Sequence, residues 1–195
     1  MRARLPLALG AAMLAGGMMS FGQTVAPDAI APLFNSAAPV VAVAAAVSLA
    51  ARGPWSHVTL GALAGPLVMV GYYATASLRG FGVSASWVVL WCVAGVLFGA
   101  VMGLAVWLLR GHGAAWLRPL AAAVLPSVAV GEAAHGLARI SESTPVGYWW
   151  AQAAIGVAVL AWTVATRLTG VAATLVACGA TAAGAAAVFA AYGAF

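Results

Sequence analysis

Three residues of the 195 carry a carboxylate side chain, and one of them, Glu132, lies inside an apolar stretch. It belongs to the segment Gly131-Glu132-Ala133-Ala134-His135-Gly136-Leu137-Ala138-Arg139. On a helix of 3.6 residues per turn, positions 132, 135 and 139 fall within about 60° of one another, so an acid, an imidazole and a guanidinium share one face. At about 1.5 Å of rise per residue, Glu132 sits about 10 Å deeper than Arg139. An acidic side chain at the centre of a membrane helix costs about 2.5 to 3.5 kcal/mol on insertion scales, so it must face the bundle interior or water and have a partner. Three roles are open to it. Glu132 could take a cation or a proton, with His135 tuning it; the trio could hold a polar solute arriving from outside; or a Glu132–Arg139 or Glu132–His135 pair could lock helices together.

Other residues could complete a pocket at the same membrane surface. Tyr72 and Arg79 are seven apart and share a face with Gly65, and Asn35, Gln23 and Tyr73 lie close to the same level. Taken singly, these are also what an aromatic belt, a helix cap and an interfacial anchor look like. Trp149 and Trp150 read as belt residues, and His57 and His112 as solvated loop residues. Cys92 and Cys178 each sit in mid-block, where a thiol packs like Ala or Val and suggests neither a disulfide framework nor a metal site. The sequence has no HExxH, no paired acids of an aspartyl protease, no Gly-x-Ser-x-Gly elbow, no P-loop and no dinucleotide fingerprint. No catalytic residue, metal or cofactor is therefore assigned, and an enzyme using Glu132 and His135 as acid and base is the least favoured reading.

The elements that must position these side chains are membrane helices. Hydrophobic residues make up 65% of the chain and charged residues 6%, against about a quarter charged in soluble domains. The apolar residues fall into seven blocks, 5–22, 36–51, 57–77, 85–109, 119–140, 147–166 and 171–192. Most are long enough to cross about 30 Å of hydrocarbon, the second being the shortest. The expected fold is thus all-α, a polytopic transmembrane bundle of seven helices forming one integral membrane domain over 1–195, or six helices if the first is a cleaved signal peptide. No small-x-small cleavage site precedes Pro27, which favours an uncleaved first helix. The eight basic residues are all Arg and sit singly at block ends, which argues for membrane topology and against nucleic acid. With the N-terminus cytoplasmic, Arg2, Arg4, Arg52, Arg110, Arg118 and Arg167 lie inside and Arg79 and Arg139 outside, and an odd number of crossings puts the C-terminus outside the cell membrane. Gly95, Gly99 and Gly103 recur every four residues between Trp91 and Trp107, and Gly61 and Gly65 repeat the spacing one block earlier. Such ridges let helix backbones approach closely in lipid, within one subunit or between subunits.

The segments Ser20-Phe21-Gly22-Gln23-Thr24, Asn35-Ser36-Ala37-Ala38-Pro39 and Gly71-Tyr72-Tyr73, then Leu78-Arg79-Gly80-Phe81, Trp91, the Gly95 to Gly103 region and Gly131-Glu132, resemble a family of small actinobacterial multi-pass membrane proteins known as a domain of unknown function. The resemblance covers about residues 10 to 165, with departures at Val40, where Trp is common, and at Ala133, where Gly is. It implies a multi-pass fold and assigns no activity. The expected function is small-solute binding or transport through an outward-facing polar pocket built from Glu132, His135, Arg139, Tyr72, Arg79 and Asn35. In size the chain is similar to the substrate-capture subunits of vitamin transporters, which would call for an energising membrane-protein partner. The alternative is a non-catalytic scaffold that offers its glycine ridges to other membrane proteins.

Overall fold

The computed structural model describes residues 4–194. Among them the regular structure is seven α-helices and two short 3-10 turns, without strands: α1 (Arg4–Val25), α2 (Ala37–Ser48), α3 (Pro54–Leu78), α4 (Ala85–Leu109), α5 (Arg118–Arg139), α6 (Val146–Arg167) and α7 (Val171–Tyr192). Six are long and apolar enough to cross a membrane. Their outer faces leave Leu97, Ile155, Trp162 and Leu175 more than half exposed, as hydrocarbon-facing side chains are. The breakers expected between blocks do turn the chain; Gly80 and Gly170, for example, take φ of 81° and 85°, which a Cβ would strain.

The second block is the exception. Its helix, α2, has 12 residues, about 18 Å of rise against about 30 Å of hydrocarbon. Pro27, Pro32 and Pro39 with Asn35-Ser36 explain the shortening: the chain leaves α1, makes a 3-10 turn over Ala31–Asn35 and only then winds into helix. A half-length helix cannot face lipid with open ends, and α2 buries Ala38, Val41, Ala44, Val47 and Ser48 against its neighbours. Its Ala38 and Val41 pack into a core with α4, α5 and α7, while Ala44 and Val47 pack into a second core with α1 and α3. α2 thus fills the space between α1, α3, α4 and α5.

Close backbone approach sets the helix pairs. On α3 and α4 a Cβ at Gly61 would overlap the Gly99 carbonyl, one at Gly65 the Gly95 carbonyl, and one at Gly103 the His57 carbonyl, so the two helices run antiparallel at glycine distance. The glycine ridges are thus consumed within the chain. A second close approach joins α1 and α3, Gly16 against Val68 and Gly17 against Thr75, and with Arg79 reaching the Ser20 carbonyl the contacts advance together along both helices, which therefore run parallel. α5 pairs antiparallel with α6, where the Trp149 ring lies on Gly136, and parallel with α7, where Gly131 meets Ala185. One end of the bundle therefore gathers Arg52, Arg110, Arg118 and Arg167, and the other Arg79, Arg139, Asp28 and Glu142. His57 and Trp149, read from sequence as a solvated loop residue and a belt residue, are both buried, at 1% and 5% exposure. His57 opens α3 and is covered by α2 and Trp107.

Candidate functional site

The start of α2 lies inside the bundle, and its free N–H groups need acceptors there. Pro39 has no N–H to satisfy, and the N–H groups of Ala37 and Ala38 both donate to the carboxylate of Glu132 from α5, at 2.8 Å to Oε1 and 3.2 Å to Oε2. Ser36 donates its hydroxyl proton to Oε2 at 2.5 Å, Gln152 on α6 donates Nε2–H to Oε2 at 3.0 Å, and Tyr192 on α7 donates its hydroxyl to Oε1 at 2.7 Å. Glu132 is 3% exposed. Five donors on three separate segments of chain converge on one carboxylate, which has about four lone-pair directions to offer. The acid thus caps a neighbouring helix in trans, and its negative charge meets the positive end of the α2 dipole. The shell is itself fixed: Tyr148 donates to Gln152 Oε1 at 2.5 Å, and Gln152 also donates to the Ala129 carbonyl at 3.2 Å. At the far end of α2, Arg110 reaches the Leu49 and Ala51 carbonyls at 3.3 and 3.5 Å, so a cation completes the dipole.

The residues expected in one polar pocket are placed in four groups. Glu132 is enclosed in the cap. His135 and Arg139 lean instead toward α7: the His135 ring is 5.2 Å from Tyr192 and 6.0 Å from Phe189, and the Arg139 guanidinium is 6.0 Å from the Phe189 ring. His135 Nδ1 is buried with no hydrogen-bond partner among the described residues. Arg79 ties α3 to α1 by donating to the Ser20 carbonyl at 2.8 Å and to Thr24 Oγ1, and it stacks over Phe21 at 4.2 Å. Tyr72 and Asn35 are the two of the six that line a cavity.

That cavity holds about 250 Å³ and is mainly apolar. Met19, Phe34, Val40, Met69, Trp91 and Phe98 form most of its wall, Gly65, Gly95 and Gly99 give it depth between α3 and α4, and Ser36, Ala37 and Tyr192 close its inner end. The last three are donors to Glu132, so the carboxylate stands directly behind the cavity wall. Polar groups are confined to that end and to Asn35, Tyr72 and Tyr73. α4 and α7 line opposite sides and barely touch each other; Trp91 and Tyr192 approach to 6.3 Å between ring centroids. The cavity therefore lies where α4 and α7 are not packed against each other. Ser36, Gln152, Tyr148 and Tyr192 were not singled out by sequence. The signal for Ser36 was present: Ser immediately ahead of an apolar helical run is an N-cap residue.

The profile of a family of unknown function, DUF6518, matches residues 1–195. The chain belongs to that family. No curated protein and no solved structure matches it. This DUF6518 member combines a multi-pass apolar bundle, a half-length helix capped by a buried acid, and an apolar cavity against that cap.

Proposed function

We propose that this membrane protein binds a small, largely apolar amphiphile in the cavity between α2, α3, α4 and α7. The cavity itself carries the reading: apolar along most of its wall, polar at two short stretches, and bounded by two helices that are not packed against each other. A ligand with one hydrogen-bonding group and an apolar body matches that distribution, and the gap between α4 and α7 lets it arrive from the bilayer. The polar solute expected from sequence finds less support, because Glu132 has its donors already and His135, Arg139 and Arg79 do not line the cavity. A half-helix whose N-terminus forms the wall resembles the discontinuous helices at transporter sites, so binding could serve transport with an energising partner. The scaffold reading loses its main support, since the glycine ridges are covered by one another.

Thermal unfolding of the detergent-purified protein against a panel of isoprenoid, sterol and short-chain lipid amphiphiles tests the reading. A true ligand at a hundredfold excess over Kd stabilises by about 2.7 kcal/mol. Ala94→Phe, which fills the cavity from α4, is expected to abolish that shift, and Val157→Phe on an exposed face of α6 to leave it intact. Equal shifts in both variants, or no stabilising compound, would sink the proposal.

We also propose that the arginine-rich end is cytoplasmic, on the bias of Arg52, Arg110, Arg118 and Arg167 against Arg79 and Arg139. Reporter fusions within 110–118 and after Phe195 should report inside and outside respectively, and the reverse pattern would refute it.

A further inference from the structure

At the arginine-rich end, the last turn of α4, the first residue of α5 and the last turn of α6 enclose a small polar recess of about 200 Å³, lined by Leu109, Arg110, Gly111, Arg118, Thr166 and Arg167. We infer that this recess is a binding site for a phosphate group, carried by an anionic lipid headgroup or as the free anion. Three guanidiniums converge on it from three different helices. Two of them are partly engaged: Arg110 with the end of α2 and with His57 Nε2 at 3.5 Å, and Arg118 with the Gly111 carbonyl at 3.0 Å. Arg118 Nε, however, is buried with no partner, and Arg167 makes no hydrogen bond among the described residues.

No acidic side chain among the described residues neutralises this charge. The sequence has three acidic residues; Asp28 and Glu142 lie in loops at the opposite end, and Glu132 caps α2. The carbonyl ends of α4 and α6 offset about half a charge each, while the amino end of α5 adds about half a charge of the same sign as the arginines. A surplus of positive charge remains in a recess too small for a large ligand and at the level where headgroups lie. Guanidinium forks match phosphate oxygens in pairs, and a phosphate could take Arg118 Nε–H together with Arg167. Basic pockets between helix ends are where anionic headgroups seat themselves.

Native mass spectrometry of the purified protein tests this with three probes: dioleoyl phosphatidylglycerol, dioleoyl phosphatidylcholine and inorganic phosphate. The phosphatidylglycerol adduct is expected to be at least tenfold more abundant than the phosphatidylcholine adduct. Arg167→Gln, at an exposed side chain, should reduce it by about tenfold, the value of about one lost charge-assisted bond. Arg118→Lys, which keeps charge but loses the fork, should also weaken it. Arg52→Gln, an arginine at the same end outside the recess, should leave it unchanged. If inorganic phosphate displaces the lipid at millimolar concentration or binds in its place, the site stands with the free anion as its ligand. Equal retention of the two lipids without phosphate binding, or an equal loss in Arg52→Gln and Arg167→Gln, would overturn the inference.

Discussion

Glu132→Gln is expected to lower the stability of the detergent-purified protein by about 3 kcal/mol, and Glu132→Ala by more, because buried donors lose a charged acceptor that nothing else can replace. The carboxylate receives Ala37, Ala38, Ser36, Gln152 and Tyr192. An amide in its place presents N–H to at least two of those donors, whichever way it is turned. The α2 N-terminus also loses the charge that complements its dipole, a contribution of up to about 2 kcal/mol in partly buried geometries. The control is Arg139→Gln. Its guanidinium is exposed and faces Phe189, so the change should stay within about 0.5 kcal/mol. Had Glu132 been locked by Arg139 along its own helix, the two substitutions would cost about the same. Chemical or thermal unfolding in one detergent separates the cases, and equal losses would remove the trans-cap from the account of this fold.

Sequence reasoning recovered what is periodic or long. The boundaries of α4 and α7 are those of their apolar blocks, 85–109 and 171–192, because both are flanked by glycine-bearing turns and nothing inside them breaks a helix. The second block was less faithful at its end: composition continues to 51, while the helix stops at Ser48 and Ala50 and Ala51 close tight turns onto Val47 and Ser48 ahead of Gly53-Pro54, a change of winding that hydropathy does not register. The need of Glu132 for a partner was legible from its energetic cost alone. The partner was not. A helical wheel compares residues three, four and seven apart, and the actual donors lie 96, 60 and 20 positions away in Ser36, Tyr192 and Gln152. Each is a polar residue in an apolar element, an orphan that hydropathy averages away and that only the packing of helices can match. The same limit applies to the cavity, whose wall is assembled from α1, α2, α3, α4, α5 and α7. It also applies to Gly16 and Gly71, which lie on different helices and form no ridge of their own.

Gly61→Ala is expected to destabilise the bundle by about 1 to 3 kcal/mol, and Gly61→Val by more, since overpacking a rigid contact forces backbone to move. The obstacle is the Gly99 carbonyl and the backbone amide of Gly103, neither of which can rotate aside as a side chain would. Gly99 meets Gly61 in return, and Gly65 meets Gly95, so relief at one point is resisted one turn away. Gly179 on α7 supplies the opposite case, with no neighbouring atom where its Cβ would be. There Ala should stabilise by up to about 1 kcal/mol through helix propensity. The same chemical change thus carries opposite signs at two helical glycines, and unfolding midpoints of both variants measure it. A second consequence reaches the cavity: Gly65, Gly95 and Gly99 line it, and separating α3 from α4 widens that wall. Gly61→Ala should therefore weaken the stabilising effect of any amphiphile that Ala94→Phe also excludes, although residue 61 is not part of the cavity lining. A variant at Gly61 with unchanged stability would mean that α3 and α4 stand farther apart, and the shape of the cavity would have to be redrawn with them.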